Sequence, residues 1–278
     1  MPDHLIKHAG VSLALYDESE GPPVVLLHGL TASHRYVVMG SRALPRAGFR
    51  AVSYDARGHG ASSPAPDPSA YTYDDLAGDL DAVLDALDAS RATLAGASMG
   101  AHTLLRYALE RPDRVAGLVV VTPAFLPDAV DDPARAERWH ALARGLREGG
   151  VDGFMEAYGT PDLPDATRDT VLEVVRQRLA KHDHPEAVAD ALDVTPFSRP
   201  FDSLDELAAL AVPTTVVASR DESDPEHPYA VGEAYTEAIP GARLVSEEPG
   251  SSPLAWQGGQ LSKVIADVAG AASTAKRA

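Results

Sequence analysis

A serine flanked at a distance of two by glycines, Gly96-Ala97-Ser98-Met99-Gly100, follows the apolar run Ala92-Thr93-Leu94-Ala95 and passes at once into a helical pattern. A nucleophilic serine on a sharp strand-to-helix turn sits in a strained backbone, so the residues two before and two after it must be small. Downstream, Ala101, Leu104, Leu105, Ala108 and Leu109 recur at helical spacing until Arg111-Pro112 stops the pattern. Ser98 therefore stands at a helix N-terminus, where backbone N–H groups point outward and can stabilise an oxyanion. The plainer alternative is a small-residue turn with a capping serine; the strand before and the helix after favour a nucleophile. A serine hydroxyl reacts poorly without a base in hydrogen-bond reach, and three histidines are candidates for that base or for substrate contact: His34, His59 and His227. Each also has a plain reading, as an exposed residue, a structural loop residue and a loop or helix-start residue respectively.

The elements that must position these groups alternate along the chain. Residues 11–16 alternate apolar and polar as an edge or antiparallel strand does, whereas 24–27, 50–54, 92–97 and 115–121 read as buried strands. Helices are expected over 36–47, 73–87 and the stretch after Ser98, giving a parallel sheet built from right-handed crossovers, with functional groups at the C-terminal ends of its strands. From about 127 to 204 the strand signal disappears and helical segments replace it, around 134–147, 153–158, 167–179 and 185–192. This stretch reads as an inserted helical cap, so the expected organisation is a core of 1–126 and 205–278 with a cap of 127–204. Strands over 212–218 and 243–246 and helices over 229–239 and 261–269 complete the core. Trp139, Phe154, Tyr158, Phe197 and Phe201 are candidates to line an apolar cavity between cap and sheet.

Composition excludes several classes. The 278 residues carry 24 Lys and Arg against 41 Asp and Glu, a formal net charge of −17 that repels phosphate backbones and anionic membranes. A small-molecule partner is expected, with no nucleic acid and no membrane; self-association into a homo-oligomer stays open. There is no cysteine, hence no disulfide framework, thiolate nucleophile or Cys-based zinc site. His182 and His184 have the spacing of a metal pair but read better as a solvated turn, so neither a metal nor a cofactor is expected. With no apolar h-region in the first residues, a cytoplasmic protein is the expectation.

Four motifs in order, His28-Gly29, Asp55-x-Arg57-Gly58-x-Gly60-x-Ser62, Gly96–Gly100 and Asp224-Pro225-Glu226-His227-Pro228, each close a strand. Together they resemble the α/β-hydrolase fold superfamily over nearly the whole chain. The resemblance implies a mostly parallel, doubly wound α/β sheet with Ser98 as nucleophile, the Leu30 and Met99 backbone amides as oxyanion hole and Asp224 as the triad acid, ahead of Asp221. It also implies a histidine after the last strand, and none follows His227. Ser251 or Ser252 occupies that slot, and Trp256-Gln257 is placed to fill it; serine is no general base near pH 7. The expected activity is hydrolysis of a small carbonyl compound, an ester or lactone, with reduced triad chemistry. A cofactor-free lyase, isomerase or cyclase and a non-catalytic ligand binder on the same fold are the alternatives. Asp55, Arg57 and His59 are expected to be structural, and His102 to pack behind the nucleophile.

Overall fold

The computed structural model describes residues 1–161, 165–220, 226–248 and 258–275. Asp221, Asp224, Ser251, Ser252, Trp256 and Gln257 lie outside the described residues. Eight strands form a single sheet: β1 (His4–His8), β2 (Val11–Glu18), β3 (Pro23–Leu27), β4 (Arg50–Tyr54), β5 (Ala92–Ala97), β6 (Val115–Val121), β7 (Thr214–Val217) and β8 (Arg243–Val245), in the order 1-2-4-3-5-6-7-8. At one edge β1 pairs antiparallel with β2 and β2 antiparallel with β4, and the remaining pairings are parallel. The continuous apolar runs of β3, β5 and β6 are buried on both faces, as strands covered by helices on either side require. One layer includes α2 (Tyr73–Ala86), α3 (Met99–Glu110) and α7 (Tyr229–Ala238); the other is built on α8 (Gly259–Ala275), and each buries its own apolar cluster against the sheet.

Two elements depart from the sequence reading. β1 carries His4, Lys7 and His8 and has no apolar alternation; it exists because its backbone pairs with β2 from His4 opposite Leu15 to His8 opposite Val11. The helix expected over 36–47 is reduced to a 3-10 turn at His34–Tyr36 and a four-residue α1 (Ala43–Arg46). Met39 and Gly40 both adopt positive φ, +50° and +73°, which no right-handed helix accommodates.

Between β6 and β7 the chain is helical: α4 (Pro133–Tyr158), α5 (Asp165–Leu179), α6 (Pro185–Val194) and a 3-10 turn at Thr195–Phe197. Non-helical Gly150 (φ +60°) divides α4, between the two segments read from sequence. Leu142, Leu146, Phe154, Val175, Leu179, Val188 and Leu192 form a small core of their own, on which Leu30 and Trp139 pack. No described helix is long and apolar enough to cross a membrane.

Candidate active site

Ser98 sits between β5 and α3 with φ +50° and ψ −113°, a conformation that costs a non-glycine residue about 1–3 kcal/mol. The flanking glycines make that turn sterically possible. A Cβ on Gly96 would lie 2.3 Å from the Gly100 carbonyl oxygen, and one on Gly100 would lie 2.2 Å from that of Leu27. Met99 opens α3, so its N–H has no acceptor within the helix. The loop after β3 lies against this turn: a Cβ on Gly29 would be 3.5 Å from Ser98 Cβ. The Gly29 carbonyl accepts hydrogen bonds from Ala32 N–H (3.0 Å) and His28 Nδ1 (2.8 Å). Because a trans peptide opposes its N–H to its C=O, those bonds also fix the direction of the Leu30 N–H.

His227 completes the arrangement. Its Nε2 lies 2.8 Å from Ser98 Oγ, with the hydroxyl as donor when the proton of the neutral ring is on Nδ1. The residue stands in the turn just before α7, whose N-cap is Pro228, and the neighbouring Glu226 pairs with Arg138 of α4 at 2.9 Å. The segments after β7 and β8 are joined by Glu247, which accepts from Ser219 Oγ (2.8 Å) and Arg220 N–H (2.5 Å).

The hydrogen bonds of the other two candidates, His34 and His59, run to groups other than Ser98. His34 Nδ1 faces Asp55 Oδ1 at 2.9 Å and its ring stacks on Tyr16 at 3.5 Å. His59 is fully enclosed, with Nδ1 donating to the Arg57 carbonyl (2.8 Å) and Nε2 left without a hydrogen-bond partner among the described residues. Burial lowers the His59 pKa well below the usual imidazole range, so this ring is neutral. The structural role expected of its loop fits the geometry: Arg57 holds Asp79 bidentately (2.7 and 2.8 Å) and donates to the carbonyls of Ala70 and Asp75. Asp55 accepts from the N–H groups of His34 (2.7 Å) and Ala61 (3.0 Å). Its burial favours the neutral acid, but the His34 hydrogen bonds and nearby imidazoles outweigh that and lower its pKa to about 2.

His102 packs behind Ser98, as expected: Nδ1 bonds the Tyr73 hydroxyl (2.9 Å), and Nε2 accepts from the N–H groups of Ala124 (3.0 Å) and Phe125 (3.1 Å). Burial lowers its pKa to about 3. His182 is not in a solvated turn. It is 8% exposed and spends both ring nitrogens on the core, Nδ1 accepting from Gly60 N–H (2.8 Å) and Nε2 donating to the Thr31 carbonyl (3.0 Å). Its burial, like that of His102 and His59, follows from tertiary packing.

The chain belongs to the alpha/beta hydrolase fold family, whose model matches residues 22–257. It is 26% identical over 228 residues to the AB hydrolase superfamily protein YisY of Bacillus subtilis (strain 168), covering 79% of this chain and 81% of that protein. An epoxide hydrolase of Caballeronia sordidicola is 37% identical over 117 residues; the match covers 42% of this chain and about a third, 36%, of that relative's length. Among solved structures, a thermophilic esterase from Thermogutta terrifontis superposes with a TM-score of 0.76 at 26% identity, covering 98% of both chains.

Proposed function

We propose that this chain is a serine hydrolase acting on a small carbonyl compound, an ester or lactone, with Ser98 as nucleophile and His227 as the general base. The 2.8 Å contact between His227 Nε2 and Ser98 Oγ carries the reading. Ser98 Oγ attacks the substrate carbonyl carbon while its proton passes to His227 Nε2. The negative charge that develops on the carbonyl oxygen is met by the Leu30 and Met99 N–H groups. Collapse of the tetrahedral intermediate releases the alcohol, protonated by His227, and leaves an acyl-Ser98. Water then gives its proton to His227 and attacks the acyl carbon, releasing the acid and free Ser98. Asp224 is proposed as the acid that orients His227, on the family's acid position.

The base in this scheme comes from the loop after β7, not from the usual place after β8, which supplies what the vacant slot at Ser251 and Ser252 lacks. A lyase or isomerase reading expects a polar pocket with no base near Ser98 Oγ, so the His227 contact favours hydrolysis over it. The segment 127–204 acts as the cap. Its His182, Asp183, Thr195 and Ser198 hydrogen bond to residues 31, 60, 71 and 73, on loops that follow β3 and β4 and at the start of α2. Ligands bind at that edge of such sheets. The test is hydrolysis of 4-nitrophenyl acetate followed from the first turnover. A burst of one nitrophenolate per chain that disappears in Ser98→Ala is expected; hydrolysis undiminished in Ser98→Ala would overturn the reading.

A further inference from the structure

The loop after β3 is a four-residue turn, closed by the hydrogen bond from Ala32 N–H to the Gly29 carbonyl at 3.0 Å. Its third residue, Thr31, has φ +66°. Turns with positive φ at that position favour glycine, and a β-branched side chain there is strained. Such a residue persists where its surroundings over-determine it, and three anchors do so here. His28 Nδ1 holds the Gly29 carbonyl, Asp55 Oδ1 accepts from His34 N–H, and His182 Nε2 donates to the carbonyl of Thr31 itself. The first two anchors belong to the sheet's own loops. The third comes from the turn between α5 and α6, which is doubly fastened to Gly60: its N–H donates to His182 Nδ1 (2.8 Å) and its carbonyl accepts from Asp183 N–H (2.9 Å). The Leu30 side chain packs against the same helical segment.

The geometry points to His182 as a positioning residue through which the segment between β6 and β7 holds the oxyanion loop in its strained, active shape. This inference rests on the hydrolase reading above. The two ring nitrogens can be separated by substitution. Asparagine places an acceptor near the Nδ1 position, keeping the Gly60 bond, but does not reach Thr31; glutamine places a donor near the Nε2 position and keeps the Thr31 bond.

The experiment measures kcat and KM for 4-nitrophenyl acetate, with the melting temperature of each variant, in His182→Asn, His182→Gln, Thr31→Gly and the double variant His182→Asn/Thr31→Gly. His182→Asn is expected to lose about 10- to 100-fold in kcat with KM changed little, as a misplaced oxyanion donor would. His182→Gln is expected to stay within about 5-fold of the unmodified enzyme. Thr31→Gly removes the strain the anchor opposes, so the double variant should recover most of the lost kcat. Equal losses in the Asn and Gln variants, a change confined to KM, or no rescue by Thr31→Gly would overturn the inference and leave His182 as a fastener of the helices. Ser98→Ala and His227→Ala assayed alongside separate the two claims. Full activity in either overturns the hydrolase reading, whereas their inactivity together with an unimpaired His182→Asn overturns this inference alone.

Discussion

Two sets of histidines lie around Ser98, and they differ in what their ring nitrogens face. In one set, His28, His59, His102 and His182 are buried, and their hydrogen bonds run to backbone groups and one tyrosine hydroxyl. Burial lowers the pKa of each, that of His28 to about 4, so these rings are neutral struts. The other set is His227, which is only part-buried and turns Nε2 to a side-chain hydroxyl. The residue type is the same, and the function follows from the partner. A histidine whose nitrogens are committed to backbone groups has no capacity for proton transfer, while one aimed at a hydroxyl from a turn can accept its proton.

Removing either kind of histidine should therefore damage different properties. His227→Ala is expected to lower kcat/KM for an activated ester by at least about 10³-fold while moving the melting temperature little. A loss of under tenfold would erase the distinction. Arg57→Ala, in the neighbouring loop, should do the reverse: leaving Asp79 buried without its partner costs about 3–5 kcal/mol. Denaturant melts should show that loss, and kcat/KM of the folded fraction should stay within about tenfold. Normal melting with lost turnover would assign the loop to the chemistry.

The buried imidazoles also set an acid limit. Each has a lower pKa folded than unfolded, so between about pH 6.5 and its folded pKa the unfolded chain binds the extra proton. Stability is fully present above that window and falls by up to about 1.4 kcal/mol per pH unit for each ring as the pH drops through it. Asp55, lowered to about 2, adds its own loss below about pH 4. His102→Gln should flatten the pH dependence by about one ring's contribution, up to about 1.4 kcal/mol per unit. An unchanged slope would mean that His102 is charged in the folded protein.

The residues around Ser98 differ in how far the sequence discloses them. The nucleophile turn was legible because backbone closeness leaves glycine as the residue that fits: Cβ atoms on Gly96, Gly100 and Gly60 would each meet an atom at about 2.2–2.3 Å. The loop of Asp55 to Ser62 was legible for the same reason. His227 was a candidate, yet its contact joins residues 129 apart and depends on the course of the chain after β7, which no local pattern encodes. The burial of His182 is not legible because its turn is polar in sequence, Lys181-His182-Asp183-His184, and the burial of one member comes entirely from docking on Gly60 and Thr31. The break in the helix expected over 36–47 falls where Met39 and Gly40 turn the backbone to positive φ.

The central claim, that His227 activates Ser98, is tested most directly by the rate at which a fluorophosphonate labels the serine. The unmodified protein should react rapidly and stoichiometrically at Ser98, since labelling depends on the same base-activated hydroxyl. His34→Ala should react within about tenfold of that rate, and His227→Ala should react at least about 10³-fold more slowly. Labelling that stays fast in His227→Ala would contradict the account and show that another group serves as the base.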